Sequence, residues 1–266
     1  MTALALGAPR AGRVAWPRLP GWLNGFVPVI LVLALWSGVA ATGWFSSDIL
    51  VPPATVAKAF VELLQSGELA GHLAASFYRL GVGVAAALVV GLAYGTAAAL
   101  SPTLEDYTGP TFTVLRTVPS IAFIPILILI FGIGETFKIV VVAKSTFFPV
   151  ALATVEAVRG IPARYTDVAR AYRLPRAYQL RRVILPACLP AIVTGIRLGV
   201  GRSWGVLVAA ELVASEKGLG QMMELGRQMF RLDIVMVGVI IAGLIGFTLD
   251  KALRTLEARL SSWKVR

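Results

Sequence analysis

Long apolar stretches without a charged side chain recur along this chain of 266 residues. The first runs from Phe26 to Phe45, and its 20 residues, at about 1.5 Å each in a helix, can cross a hydrocarbon core of about 30 Å. Hydrophobic residues make up 57% of the chain and charged residues only 15%, against about 25% in a typical soluble domain. This composition excludes an ordinary soluble domain and predicts an all-α polytopic membrane protein.

Hydropathy divides the chain into about six predicted transmembrane helices. Their approximate bounds are 26–45, 76–100, 111–131, 139–157, 190–210 and 234–253, within a membrane domain of residues 25–260. Residues 1–24 precede that domain, and residues 254–266 form a tail. The second span is rich in glycines expected to let helices pack closely, namely Gly81, Gly83, Gly91 and Gly95. Pro119 and Pro125 lie inside the third span, where neighbouring helices or a water-lined cavity would satisfy the freed carbonyl groups.

The distribution of basic residues predicts the orientation of these spans. With both termini and the loop of residues 158–189 inside, 15 lysines and arginines lie in inner segments and five in outer segments. Basic residues favour the cytoplasmic side, so the termini and this loop are predicted to be cytoplasmic. The net charge of +11 is therefore interpreted as a topology signal and not as a nucleic-acid-binding surface.

The predicted cytoplasmic loop of residues 158–189 has helical signals. Asp167–Tyr172 predicts one short helix, Leu174-Pro175 a turn, and Arg176–Ile184 a second short helix that Pro186 ends. Asp167 is expected to cap this elbow or to pair with Arg170 or Arg173. A basic elbow with exposed apolar residues is suited to docking on another protein. The alternative is a solvated loop whose arginines only set the topology.

The spacing inside this loop resembles that of importer permeases of the ATP-binding-cassette (ABC) superfamily. Their pattern is Glu-Ala-Ala, three residues, Gly, nine residues, Ile-x-Leu-Pro, and here Asp167-Val168-Ala169, Arg173 and Val183-Ile184-Leu185-Pro186 fall in that register. Arg173 replaces the glycine, at a cost of about 1 kcal/mol if the turn is left-handed. Four more stretches resemble the nitrate/sulfonate/taurine/bicarbonate branch, namely HLAASFYRL (72–80), RTVPSIAFIPILILIFGIGE (116–135), VILPACLPAIVTGIRLGVG (183–201) and VAAELVASEKGLGQMM (208–223).

The resemblance implies the type I ABC importer permease fold and a set of partners. Two copies of the chain would pair, two cytoplasmic ATPase subunits would bind beneath them, and a periplasmic binding protein would deliver a small oxyanion such as an aliphatic sulfonate, taurine or nitrate. No cofactor is expected in this chain, because ATP and Mg would bind the partner subunits. The residues expected to couple to the ATPase are Tyr165, Asp167, Ala169, Tyr172, Arg173, Leu174, Pro175, Tyr178, Leu185 and Pro186.

The sequence itself carries no catalytic pattern. GIGETFK (132–138) lacks the spacing of a phosphate-binding loop, and a single histidine, His72, and a single cysteine, Cys188, do not form a metal site. The substrate path is expected to use Lys144, Ser145, Arg202, Ser203, Trp204 and Glu211, because charged groups inside a membrane usually face a cavity or a partner. The alternative is that Lys144 and Arg202 pair with Glu135 or Glu211, or extend to a membrane surface.

Two other functions remain open at this point. A secondary transporter independent of ATP predicts an inverted repeat, whereas the loops of the two halves differ in length and charge. A membrane enzyme or assembly protein would require a cluster of Asp, His or Cys near the membrane surface. Neither alternative explains the basic elbow, so a non-catalytic permease subunit is the prediction.

Overall fold

The computed structural model describes residues 27–44, 46, 49–162, 167 and 172–261, and in these ranges every regular element is helical. The helices are α1 Val27–Ala41, α2 Pro53–Gln65, α3 Glu68–Leu100, α4 Pro102–Thr117, α5 Ile124–Phe131, α6 Glu135–Arg159, α7 Arg176–Gln179, α8 Leu185–Val213, α9 Leu219–Gln228 and α10 Leu232–Ser261. A 3₁₀ turn, Ser120–Phe123, precedes α5, and a π-helical turn, Leu180–Ile184, joins α7 to α8.

The described residues up to Pro53 and those from Ala54 onward form two compact units. In the first unit α1 has 15 residues, so it is shorter than the predicted span of residues 26–45. The indole Nε1 of Trp36 donates a hydrogen bond to the carbonyl of Val51 at 3.1 Å, which ties the helix to the segment that follows it.

Four helices of the second unit, α3, α6, α8 and α10, are long and apolar enough to cross a membrane. Helix α3 has 33 residues and begins at Glu68, two turns before the predicted start at residue 76. The short helix α2 turns its apolar face inward, with Val56, Ala59 and Leu63 buried. Phe60 and Leu64, on the same helix, are 39% and 57% exposed.

Helix α6 packs between α3 and α8, and glycines permit close approach on both sides. A Cβ atom at Gly95 of α3 would lie 2.6 Å from the Cβ of Thr154, and one at Gly195 of α8 would lie 2.5 Å from the Cβ of Ala153. Both distances are shorter than carbon atoms tolerate, so only glycine fits there. Gly81, predicted to act similarly, has open space around it.

The stretch predicted as a third span, residues 111–131, is not one helix. Helix α4 and the segment Ser120–Phe131 are bent by 96° relative to each other. The residue before a proline disfavours helical geometry, and Val118, before Pro119, is extended with φ −72° and ψ 122°. Pro119 also lacks the N–H group that would continue the helix. Pro125 is tolerated, because it occupies the first turn of α5.

Pro186 does not end the helix of the basic loop, contrary to the sequence prediction. Residues 176–213 are helical without interruption, and Pro186 lies in the first turn of α8. The π-helical turn Leu180–Ile184 comes immediately before it. A local π turn changes the hydrogen-bond register, which accommodates the missing N–H group and the bulk of the proline ring.

Arg159 joins three helix ends on the side that the charge pattern predicts to be cytoplasmic. Its guanidinium forms an ion pair with Glu105 near the start of α4 and donates to the carbonyl of Ala98 near the end of α3 at 3.3 Å. Arg159 is itself the last residue of α6. The basic loop therefore starts from a point at which α3, α4 and α6 are held together.

Candidate functional site

The turn before α7 is the described part of the predicted coupling elbow. Arg173 has a left-handed backbone with φ 48°, the geometry that favours glycine. After it, the carbonyl of Pro175 accepts hydrogen bonds from the amides of Tyr178 and Gln179 at 2.9 and 3.1 Å. The side-chain amide of Gln179 donates to the carbonyl of Leu174 at 2.8 Å. The turn is thus fastened to the helix that follows it.

Several predicted coupling residues lie on the surface of this turn. Tyr172 and Tyr178 are 76% and 48% exposed, and Leu174 is half-buried. Asp167 is helical and exposed. Three further residues are also exposed, namely Arg173, Pro175 and Pro186. Leu185 is the first residue of α8. Tyr165 and Ala169 lie outside the described residues. Two exposed tyrosines beside a half-buried leucine form an amphipathic surface of the kind that protein partners use.

An ion network lies at the other end of the helices, with the buried Arg79 of α3 at its centre and the half-exposed Glu135 at its edge. The guanidinium is 2% exposed and binds Glu135 in a bidentate manner, with Nε–Oε2 at 2.5 Å and Nη2–Oε1 at 2.7 Å. Its Nη1 donates to Glu211 Oε1 at 2.7 Å and to the carbonyl of Lys217 at 2.6 Å. Lys138 Nζ donates to Glu135 Oε1 at 3.0 Å. Two cations thus face two carboxylates, so the charges balance.

Glu211, which is fully buried, is held by more than Arg79. The hydroxyl of Ser76 donates to its carboxylate at 2.8 Å, and the amide of Gly220 donates to Oε2 at 3.0 Å. The amide of Leu219 then donates to Ser76 Oγ at 2.9 Å, and that of Gly218 to His72 Nδ1 at 3.1 Å. The first amides of α9 are therefore satisfied by side chains of α3 and α8.

This network joins α3, α6, α8 and α9, and the sequence analysis did not identify it. Arg79 was missed because the second span was expected to begin at about residue 76, which placed Arg79 near the membrane edge. Since α3 begins at Glu68, Arg79 lies three turns inside the helix. The rule applied to Lys144 and Arg202, that charges within a span have partners, applies to Arg79 as well.

Lys144, in the middle of α6, has a different environment. Its ammonium lies 4.1 Å from the ring centre of Phe123 and 5.2 Å from that of Phe148. Its hydrogen-bond acceptor is the carbonyl of Val118, at a long 3.4 Å. Among the described residues, Lys144 forms no ion pair with Glu135 or Glu211, the partners of the alternative interpretation, and both carboxylates bind Arg79.

The remaining predicted path residues are not brought together with Lys144 by a shared contact. Ser145 and Ser203 are buried, and Ser203 donates to the carbonyl of Val200 at 3.0 Å. Trp204 is buried against α10, where its Nε1 donates to the carbonyl of Ala242 at 2.9 Å. Arg202 is exposed on α8. Glu211 belongs to the ion network, which gives it a structural role within this chain.

The family model for "Binding-protein-dependent transport system inner membrane component" matches residues 83–262. This range contains α6, the turn Tyr172–Pro175 and the partners that Arg79 binds. It covers more than half of the chain.

Curated relatives match over most of their length. The putative aliphatic sulfonates transport permease protein SsuC of Bacillus subtilis is 39% identical, over 92% of this chain and 88% of that protein. The taurine transport system permease protein TauC of Escherichia coli is 35% identical, over 88% and 86%. The nitrate import permease protein NrtB of Synechocystis is 32% identical, over 69% and 67%.

Solved structures confirm the fold. The inward-facing MetNI methionine ABC transporter matches with a TM-score of 0.58 at 22% identity, over 73% of this chain and 98% of that chain. An amino acid ABC transporter solved with histidines matches with a TM-score of 0.61 at 14% identity, over 75% and 98%. The predicted all-α polytopic permease fold and the resemblance to ABC importer permeases are confirmed. The chain therefore belongs to the family of binding-protein-dependent transport system inner membrane components, the non-catalytic permeases of ABC importers.

Proposed function

We propose that two copies of this chain form the translocation path for a small oxyanion, an aliphatic sulfonate, taurine or nitrate. Two ATPase subunits, which hold ATP and Mg, bind the coupling loop of residues 158–189 from the cytoplasm. A periplasmic binding protein delivers the substrate to the outer ends of the helices. The names of the 39%, 35% and 32% identical relatives, which are permeases for aliphatic sulfonates, taurine and nitrate, support this range of substrates.

The observation that carries the coupling role is the position of the exposed turn. Tyr172–Pro175 stands directly before a helical path that runs without a break from residue 176 to residue 213. Glu211, near the far end of that path, is fixed to α3 and α9 by the ion network. A displacement imposed on the turn is therefore delivered to the opposite end of the unit.

This geometry supports alternating access by rigid-body movement. ATP binding closes the two ATPase subunits, and the turn, seated on one of them, moves with its subunit. The helical path carries that movement through the membrane, and the cavity between the two copies changes the side to which it opens. The alternative of an ATP-independent secondary transporter gives the exposed turn no role.

The test uses the tagged chain co-expressed with its ATPase and its binding protein. The double variant Tyr172→Ala/Tyr178→Ala is expected to lose co-purification of the ATPase and ATP-dependent uptake while still inserting into the membrane. Asp167→Asn is expected to reduce uptake in the same direction. Uptake assays in proteoliposomes and quantitative immunoblots of the purified complex measure these outcomes.

Tyr107→Ala is the matched control, because Tyr107 is 81% exposed and lies on α4, on the same predicted side of the membrane. This variant is expected to keep both co-purification and uptake. Normal uptake by the Tyr172→Ala/Tyr178→Ala variant would sink the coupling role of the turn.

A further inference from the structure

We propose that Lys144 and the break between α4 and α5 form the substrate anion site of this permease, and that the site fits an alkanesulfonate better than an inorganic anion such as nitrate. This inference rests on the proposed function and specifies where, and for which class of anion, the path is selective.

The charge of Lys144 is not neutralised by the groups that contact it. Two phenyl ring faces and one carbonyl oxygen surround the ammonium, and none of them carries a full negative charge. The 3.4 Å distance to the carbonyl of Val118 is longer than the usual range of about 2.7–3.2 Å, so this hydrogen bond is weak. The ammonium therefore keeps donor capacity and positive charge for a ligand. By contrast, Lys138, on the same helix, donates to Glu135 and Ser215.

The backbone opposite Lys144 does not face lipid. Val118, Pro119 and Ser120 interrupt the helical hydrogen bonding between α4 and the 3₁₀ turn, and Pro119 is exposed in the single chain. Non-helical backbone at membrane depth is tolerated only where it lines a water-filled cavity or is covered by protein. An ammonium that contacts this backbone therefore faces either such a cavity or the covering protein, and the exposure of Pro119 favours the cavity. Broken helices bordering the substrate site are a recurring device of transporters.

The rings of Phe123 and Phe148 indicate the class of anion. An oxyanion head bound to the Lys144 ammonium would have its remaining surface beside these two phenyl groups. An alkanesulfonate presents hydrocarbon there, which is favourable, whereas nitrate would lose hydration without an apolar contact in return. The ring of Phe148 packs against Phe112 in a tilted arrangement and against Phe147 edge-on, with ring centres 5.1 and 5.0 Å apart, which restricts its position.

The experiment measures ATP-dependent uptake of ethanesulfonate and of nitrate by proteoliposomes that contain the permease, its ATPase and its binding protein. Lys144→Met is expected to reduce ethanesulfonate uptake at least tenfold while the binding protein still stimulates ATP hydrolysis. Lys144→Arg keeps the charge and is expected to retain most of the uptake. Phe123→Leu is expected to lower the preference for ethanesulfonate over nitrate.

Lys251→Met is the matched control, because Lys251 also lies over a phenyl ring, that of Phe247 at 5.8 Å, but on α10. It is expected to transport as the unmodified protein does. Equal uptake by Lys144→Met and Lys251→Met would overturn the site, and so would a loss in Lys144→Arg as large as in Lys144→Met with ATP hydrolysis still stimulated. A preference of the unmodified transporter for nitrate would overturn the substrate class.

Failure of the proposed function gives a different result. In that case the unmodified complex takes up neither anion, whatever residue stands at position 144. Uptake by the unmodified complex, together with full uptake by Lys144→Met, would contradict the anion site and leave the proposed function intact.

Discussion

Arg173 occupies a backbone conformation in which its side chain is disfavoured. At φ 48° an L-residue is strained by about 1 kcal/mol, and glycine is not. The sequence comparison with the ABC importer pattern had placed glycine at this position, so the structure explains why the pattern requires it. The arginine is retained at a local energetic cost.

Arg173→Gly is therefore expected to stabilise the turn by about 1 kcal/mol. Slower hydrogen exchange at the amides of Tyr178 and Gln179, which bond to Pro175, measures this change. Arg181→Gly is the control with the same loss of charge. Arg181 is exposed within the π-helical turn, where glycine lowers helix stability, so exchange is expected to become faster. Faster exchange in Arg173→Gly would show that the left-handed geometry is not a source of strain.

Glu211 balances a buried cation. Glu211→Gln leaves the network of Arg79, Lys138 and Glu135 with an excess positive charge in a buried position. Breaking a buried pair by removing one partner costs about 3–5 kcal/mol. A marked fall in the melting temperature of the purified protein is the expected result.

Glu224→Gln provides the exposed counterpart of that experiment. The hydrogen bonds from Arg227 and Gln228 lower the pKa of Glu224 to about 2, so this carboxylate is charged at neutral pH. Arg227 is 65% exposed and Glu224 is 18% exposed, so the pair lies at the surface, where ion pairs contribute little to stability. The melting temperature is expected to stay nearly unchanged. Equal losses in Glu211→Gln and Glu224→Gln would contradict the structural role of the network.

At the scale of the helices, the contact between α3 and α6 depends on the absence of side chains. In Gly95→Ala the new methyl group meets Thr154 and the carbonyl of Ala151 at 2.6 and 2.7 Å, so the helices must separate. Overpacking of this kind costs about 1–3 kcal/mol. A lower melting temperature is expected.

Gly81→Ala on the same helix separates packing from helix propensity. Nothing lies within 4 Å of the new methyl group, and alanine is a better helix former than glycine by about 1 kcal/mol. The melting temperature is expected to stay the same or to rise. If both alanine variants melt at the same temperature, the close approach of the helices at Gly95 does not contribute to the stability of the protein.

The sequence predicted the positions of the helices better than the contacts between their side chains, for a physical reason. Apolar runs and prolines are local signals, so the positions of α3, α6, α8 and α10 follow from hydropathy. The 96° bend at Pro119 was not predicted, because a proline inside a span indicates where a helix can break but not the angle between the two parts. The pairing of Arg79 with Glu211 spans 132 positions, and no local pattern selects one cation among several.

At the scale of the whole molecule, the charge pattern predicts which helix ends face the cytoplasm. Phe230, between α9 and α10, is 87% exposed on the predicted outer side, and Tyr107 is 81% exposed on the predicted inner side. Cys188 is 1% exposed, and replacing it with serine gives a background free of cysteine.

In that background, Phe230→Cys is expected to react with a membrane-impermeant maleimide in intact cells. Tyr107→Cys is expected to react only after permeabilisation. The extent of labelling on gels measures both. Labelling of Tyr107→Cys in intact cells would reverse the predicted orientation, and with it the side on which the coupling turn meets an ATPase.

The sequence predicted a turn close to its observed position. It did not predict how far the following helix extends. Leu174-Pro175 was predicted to be a turn from proline chemistry alone, and in the structure the turn lies just before it, at Tyr172 and Arg173. The end of the following helix was wrong, because the π-helical turn before Pro186 depends on hydrogen bonds that sequence propensity does not encode. The contacts of the turn with an ATPase remain a prediction.

The glycines on both sides of α6 also restrict how the protein can move. A shift of α6 by one helical turn, about 5.4 Å, would take Thr154 and Ala153 away from Gly95 and Gly195 and break both close contacts. We therefore expect α3, α6 and α8 to move together as one rigid group during transport. Bending is then expected outside this group, for example at the break at Pro119 between α4 and α5.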